Sequence, residues 1–262
     1  MRVSLPAVAL ALIVVSASTA FAGVRRDPVR AGGDALAYAV TPAGWGAEEW
    51  GRFGLAAGSV AVVGLADEGV RVSVRDARTG FTGDLARAVK GLGEPLGWGG
   101  AVVAATYLGG WAAGADDVRE TGFRMAEAGV LSLAAASVLK AAVGRSRPGE
   151  GQGAGTFRPL RGGLGGGRSS FPSGHTTFAF AVAAVAAERV PGSGWVAYPL
   201  AALVGWSRLH DDDHWASDVA AGAALGAATG WWVAHRPDES ATMLVPWIGP
   251  GWGGLAWCGR FD

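Results

Sequence analysis

The chain has 262 residues, enough for one large domain or two small ones. Half of them are hydrophobic and 17% are charged, and Lys+Arg and Asp+Glu balance at 22 each, so no net field points to nucleic acid or to a polybasic membrane tether. A single cysteine, Cys258, excludes an intrachain disulfide and a multi-cysteine zinc site.

Residues 1–22 read as a secretory signal. Arg2 is a short positive region, Leu5 to Val15 is apolar, and Ala20-Phe21-Ala22 is a small-x-small cleavage site. The apolar run is shorter than the ~20 residues of a membrane span. Cleavage before Gly23 is expected, with the mature protein exported: periplasmic, or membrane-associated with its active site on the extracytoplasmic side. Residues 23–47 carry Gly and Pro without sustained periodicity and are expected to form an N-terminal arm. Apolar stretches follow near 50–66, 96–115, 121–143, 174–190, 195–207 and 214–235. Each is at least 13 residues long and Ala-rich, which favours helix over strand.

Asp84 to Gly91 adds a short amphipathic helix. Residues 149–170, rich in Gly, read as a long flexible loop of the kind that is functional or mobile. Leu244–Ile248 and Gly254–Cys258 flank Gly249-Pro250-Gly251, the pattern of a small β-hairpin. The expected architecture is all-α: a bundle of about six helices over 48–240 with its active site at one end, followed by a hairpin over 241–262. The runs 97–115 and 190–207 carry no charge, whereas 121–143 carries Glu127 and Lys140. Ala and Gly add little transfer energy, so composition alone suits both a membrane bundle and a buried soluble one.

Three segments hold most of the unusual polar residues. In Lys140-Ala-Ala-Val-Gly-Arg-Ser-Arg147-Pro148, Lys140 and Arg147 are seven apart, two helical turns, so one face is expected to carry both and Pro148 to end the helix. A solvated basic helix end accounts for Arg145 and Arg147, but not for a lysine inside the apolar run Leu133–Val143. In Phe171-Pro172-Ser173-Gly174-His175, Ser173 is a good N-cap, Gly174 admits a ligand to the backbone, and free N–H groups at such a start bind phosphate oxygens. Alone, this segment reads equally well as a capped turn with an incidental histidine.

The third segment runs from Ser207-Arg208 to His214-Trp-Ala-Ser-Asp218. His214 and Asp218 are four apart at the expected start of the 214–235 helix, with Asp213 as its N-cap, so the carboxylate can reach the imidazole. A carboxylate on one ring nitrogen leaves the other free as nucleophile or base. No carboxylate stands one turn beyond His175, where Ala179 sits, so His175 is expected to be unpaired at the pocket rim. Short links between the last three helices favour antiparallel neighbours, which brings Arg147, His175, Arg208 and His214 to one end of the bundle. Cations, two histidines and a helix N-terminus at one place describe an oxyanion site.

The three segments spell K-x6-R-P, P-S-G-H and S-R-x5-H-x3-D in order. Over about 121–235 the chain therefore resembles the type-2 phosphatidic acid phosphatase / vanadium-dependent haloperoxidase superfamily, in its phosphatase branch. The resemblance implies an acid-type phosphatase with no metal and no cofactor. It implies that Lys140, Arg147 and Arg208 hold the phosphate oxygens, helped by the Ser173 hydroxyl and the Gly174 N–H. His214 would attack phosphorus and form a phosphohistidine, Asp218 would orient it, and His175 would protonate the leaving oxygen and then activate water. Apolar helices around the pocket favour a phosphorylated lipid over a small phosphoester, with membrane association and no nucleic-acid partner.

Three other readings compete. His210, His214 and Asp218 at i, i+4, i+8 would align metal ligands on one helix, although His210 stands just before the expected N-cap. Bound vanadate in the same pocket would make a haloperoxidase, but the chain shows no second insertion to build that environment. A non-catalytic lipid-phosphate-binding membrane protein would be favoured by loss of a motif residue, and none is lost.

Overall fold

A computed structural model describes residues 27–160, 168–237, 243–249 and 252–258; the expected signal at 1–22 lies outside them. The chain divides into two compact units, one spanning Gly46–Arg236 and one made of the two chain ends.

In the unit of the chain ends, α1 (Asp27–Val40) and a 3-10 turn (Thr41–Gly44) occupy the segment expected to lack periodic structure. Pro28 falls in the first helical turn, where its missing N–H costs nothing. The run Ala35–Val40 then carries the helix past Gly32-Gly33. At the other end of the chain, β1 (Met243–Gly249) pairs antiparallel with β2 (Trp252–Cys258).

The regular elements of the larger unit are helices among its described residues, apart from one isolated bridge. Its helices are α2 (Ala47–Gly64), α3 (Asp67–Asp76), α4 (Gly80–Lys90), α5 (Trp98–Ala113), α6 (Asp116–Val143), α7 (Gly174–Arg189), α8 (Gly194–His210) and α9 (Ala216–Ala234). Seven of these coincide with the apolar stretches and the short amphipathic segment. The eighth, α3, has no such stretch: Val70, Val72 and Val74 alternate with polar residues, which gives no helical period to read.

Packing fixes where the helix ends meet. Gly222, Gly226 and Gly230 form one stripe of α9 at intervals of four. A Cβ at Gly222 would stand 2.7 Å from the Ser173 carbonyl, and Cβ atoms at Gly226 and Gly230 would strike the carbonyls of Thr177 and Ala181. The backbones of α7 and α9 are thus in direct contact, a small-residue seam that no larger side chain permits. Ser173 N–H donates to the Asp218 carbonyl at 3.0 Å and locks the two helix starts together.

The end of α6 differs from expectation. Gly144 adopts the left-handed conformation (φ 60°) and stops the helix four residues before Pro148. Arg145 to Arg147 then leave the helix, and Arg145 pairs with Phe157 in an isolated bridge. The loop expected to be flexible is pinned over its described first part: Arg158 N–H donates to Gly144 O at 3.0 Å and Leu160 N–H to Ala142 O at 3.2 Å. Residues 161–167 lie outside the described residues.

One described helix, α6, is long and apolar enough to cross a membrane; α2 and α3 meet the same test as a pair bent by 55°. Large apolar side chains also stand exposed, including Leu65, Trp98 and Trp195.

Candidate active site

The site lies where α6 ends, α7 begins, α8 ends and α9 begins. Lys140, in the last turn of α6, donates to the carbonyls of Ser169 at 2.5 Å and Pro172 at 2.6 Å. That ties α6 to the segment leading into α7. Arg147 is off the helix, so the shared face expected for it and Lys140 does not exist. The two still converge, because Arg147 Nη2 reaches Ser169 Oγ at 3.4 Å.

Arg208, in the last turn of α8, is buried and donates from Nη1 to Asp213 Oδ2 at 3.1 Å and from Nη2 to Asp211 Oδ2 at 2.5 Å. Arg147 Nη1 meets the other oxygen of Asp213 at 3.4 Å. One carboxylate therefore spans the two guanidinium groups, a geometry that a phosphate oxygen pair would reproduce. Asp213 is not the N-cap expected of it. Trp215 takes that position, and its N–H donates to Asp218 Oδ2 at 2.9 Å.

Ser173 occupies the N-cap position of α7 and is fully buried, but its hydroxyl makes no cap bond. Instead it accepts from Thr176 Oγ1 at 2.9 Å, which leaves its own proton available to a ligand. Gly174, next in the chain, lies beside Lys140: a Cβ there would sit 3.9 Å from Lys140 Cε. The first N–H groups of α7 have no intrahelical acceptor and carry the positive end of the helix dipole.

His214 precedes the N-cap of α9 and is buried. Its Nδ1 makes no hydrogen bond and stands 3.7 Å from Asp218 Oδ2. The Asp218 carboxylate is already engaged by Arg145 Nη1 at 2.7 Å, Ser170 Oγ at 2.5 Å and Trp215 N–H. The expected His214–Asp218 pair is thus a close approach rather than a formed bond, a gap of the size that ligand binding commonly closes. Burial pushes the His214 imidazole below its ordinary pKa against the pull of Asp218, and the charges of Lys140 and Arg147 add to the depression. A neutral ring results.

His175, in the first turn of α7, is not unpaired. Its Nε2 lies 3.5 Å from Oε1 of Glu94, which follows a 3-10 turn between α4 and α5. Burial, the neighbouring Arg208 and, more weakly, His214 push its pKa down to about 4, while Glu94 acts the other way. These mutual influences put both histidines and the arginine within one electrostatic neighbourhood.

Sequence reasoning missed three further groups. Arg145, expected as a solvated helix end, is buried; it binds Asp218, Ser217 Oγ at 2.7 Å and Asp67 Oδ2 at 2.7 Å. Asp67, at the start of α3, also accepts from Ser217 N–H at 2.9 Å. Glu94 is the third. The only available signal was a carboxylate in an otherwise apolar surround, as at Asp67 beside Gly64-Leu65-Ala66. The competing metal alignment also dissolves: His210 ends α8 and faces Thr82 Oγ1 at 3.3 Å, on a different helix from Asp218.

Comparison with known proteins agrees with the motif reading. A family model described as the PAP2 superfamily matches residues 122–241. A curated lipid A 1-phosphatase of Porphyromonas gingivalis is 40% identical over 72 residues, 25% of this chain and 16% of that protein. The match thus spans a small part of that relative's length. A transmembrane PAP2-type phosphatidylglycerolphosphate phosphatase from Bacillus subtilis aligns with a TM-score of 0.53 and 23% identity, over 70% of this chain and 91% of that one. Aquifex aeolicus LpxE aligns over 63% of this chain and 92% of its own, with a TM-score of 0.46 and 21% identity. The Bacillus likeness shows a shared helical fold. With the three motifs in order, residues 122–241 of the chain are similar to the PAP2 superfamily.

Proposed function

We propose that the protein is a phosphatase that hydrolyses a phosphomonoester or diphosphate of a lipid, through a phosphohistidine on His214 and without a metal ion. The observation that carries this reading is the Asp213 carboxylate held between Arg147 and Arg208, beside two histidines with depressed basicity. Such a clamp is built for a tetrahedral oxyanion.

In the first step, phosphate displaces Asp213, and Arg147, Arg208 and Lys140 bind its oxygens together with Ser173 and the α7 N-terminus. Asp218 accepts from His214 Nδ1–H, and Nε2 attacks phosphorus in line with the leaving oxygen. The P–O bond breaks as the P–N bond forms, and His175 gives its proton to the departing oxygen. In the second step His175 takes a proton from water, the water oxygen attacks phosphorus, and the P–N bond breaks to release inorganic phosphate. Catalysis here is positioning plus charge stabilisation, so guanidinium groups take the role that Mg²⁺ plays elsewhere.

The free His175 is neutral near pH 7. A bound phosphate offsets the field of Arg208 and lets His175 gain the proton it must donate. This coupling favours an acidic working pH.

A lipid substrate is supported by the exposed apolar faces of the helices and by the names of the relatives. Export and an extracytoplasmic site are supported by residues 1–22 alone. The test is to separate periplasmic and membrane fractions and assay each against lipid and soluble phosphates, before and after exhaustive chelation. Activity should survive chelation and be inhibited by vanadate; loss on chelation with recovery on adding zinc would refute the metal-free reading.

A further inference from the structure

Just before His214 the chain carries Asp211-Asp212-Asp213, three like charges in a row. Each has an arginine partner. Asp211 and Asp213 meet Arg208, and Asp213 meets Arg147 as well. Asp212 instead meets Arg71 on α3: Nε donates to Oδ1 at 2.7 Å and Nη2 to Oδ2 at 2.8 Å. The partners are 141 residues apart, and both side chains are only 19% exposed. A sheltered two-bond fork of this kind is unlike the loose surface bridge that contributes little.

The fork holds a strained turn. Asp212 has φ 60°, a left-handed conformation that few residues other than Gly, Asn and Asp adopt. Through this turn the chain folds back on the end of α8, where the Arg208 carbonyl accepts from Asp213 N–H at 3.1 Å and His214 N–H at 3.4 Å. The Asp212 carbonyl accepts from Gly149 N–H at 3.1 Å, two residues beyond Arg147. The Arg71 guanidinium also lies 5.5 Å from the centre of a Trp215 ring, and Trp215 Nε1–H donates to Ser146 O at 2.9 Å. Arg71 thus touches residues on both sides of Asp213-His214. Asp67, one turn earlier on the same face of α3, accepts from Ser217 N–H at 2.9 Å.

We propose that Arg71 is a positioning residue of the phosphatase: by clamping Asp212 it fixes the turn that aims His214 at phosphorus. It stands outside the family match over 122–241, where no motif marks it. Lys140 is anchored at Ser169 and Pro172, and Arg208 stands within α8, so phosphate binding depends little on Arg71. This inference rests on the phosphatase reading and on His214 as the nucleophile.

Single-turnover rapid quenching of the full chain with ³²P-labelled 4-nitrophenyl phosphate, over a range of concentrations, separates binding from attack. Arg71→Gln and Asp212→Asn should each lower the maximal rate of phosphoenzyme formation on the order of tenfold, because a small misplacement of an attacking atom is costly. Half-saturation should change little. The double variant should be no slower than either single one, since each change already breaks the same pair. Arg71→Lys, which keeps a charged donor, should recover part of the loss. Asn tolerates the left-handed turn, so Asp212→Asn remains a test even where Arg71→Gln does not fold. A wild-type rate in Asp212→Asn, a loss confined to half-saturation, or a double variant slower by about a hundredfold, as for independent sites, would overturn the role of Arg71 and leave the phosphatase reading intact. No phosphoenzyme in the unaltered protein would overturn the His214 reading and this inference with it.

Discussion

Arg145 Nη1 stands 2.7 Å from Asp218 Oδ1, and both side chains are buried. The same guanidinium reaches Asp67 on α3 at 2.7 Å, so one arginine ties the carboxylate behind His214 to a helix outside the family match. Its position two residues before Arg147 would suit a further phosphate ligand. Its partners instead make it the group that holds Asp218 in place.

Removing it should be costly. Arg145→Ala leaves Asp67 and Asp218 buried without counter-charge, and breaking such a pair costs about 3–5 kcal/mol. Chemical denaturation measures this; a loss below about 1 kcal/mol would show that water already screens the pair. Activity should fall in parallel, because Asp218 is no longer fixed.

Asp213 competes with the phosphate for Arg147 and Arg208. Asp213→Asn removes the competing charge, so inorganic phosphate should inhibit more strongly, with Ki lower by on the order of two- to fivefold for a partly exposed pair. An unchanged or higher Ki would mean that the carboxylate does not occupy the phosphate position.

Glu94 raises the pKa of His175 against burial and Arg208. Glu94→Gln removes that support, so the protonated acid is lost at a lower pH. The alkaline limb of the kcat profile should therefore move toward acid. For a substrate with a good leaving group, such as 4-nitrophenyl phosphate, the rate should change little, since its departure needs little protonation. A limb that stays in place would disconnect Glu94 from the acid step.

The clamp depends on planar forks. Arg147→Lys and Arg208→Lys keep the charge but lose bidentate geometry, and each should reduce kcat/KM by about tenfold or more. Arg208→Lys should cost more, because Arg208 is buried among Ser207, Asp211 and Asp213 while Arg147 is about a third exposed. Equal activity in both variants would place the phosphate elsewhere.

The motif residues were legible because each is a charged or titratable group beside an apolar helix, and because short links between α7, α8 and α9 fix which ends meet. What was not legible depends on contacts distant in sequence. Asp67 and Ser217 are 150 residues apart and Glu94 and His175 are 81 apart, and no local pattern joins them. Arg145 has the local look of a basic helix end; only the left-handed Gly144 turns it inward. Helix α1 escaped notice because Gly32-Gly33 interrupts its pattern, and α3 because its valines alternate with period two.

The central claim is that His214 carries the phosphoryl group while His175 handles the proton. His214 is buried, neutral and 3.7 Å from a fixed carboxylate, whereas His175 is partly exposed and paired with Glu94. Rapid quenching of the reaction with a ³²P-labelled substrate, followed by peptide mapping, tests this directly. The account predicts an acid-labile label on the peptide containing His214, absent in His214→Ala and still formed in His175→Ala from a substrate with a good leaving group. Label on the His175 peptide or on a serine would contradict it.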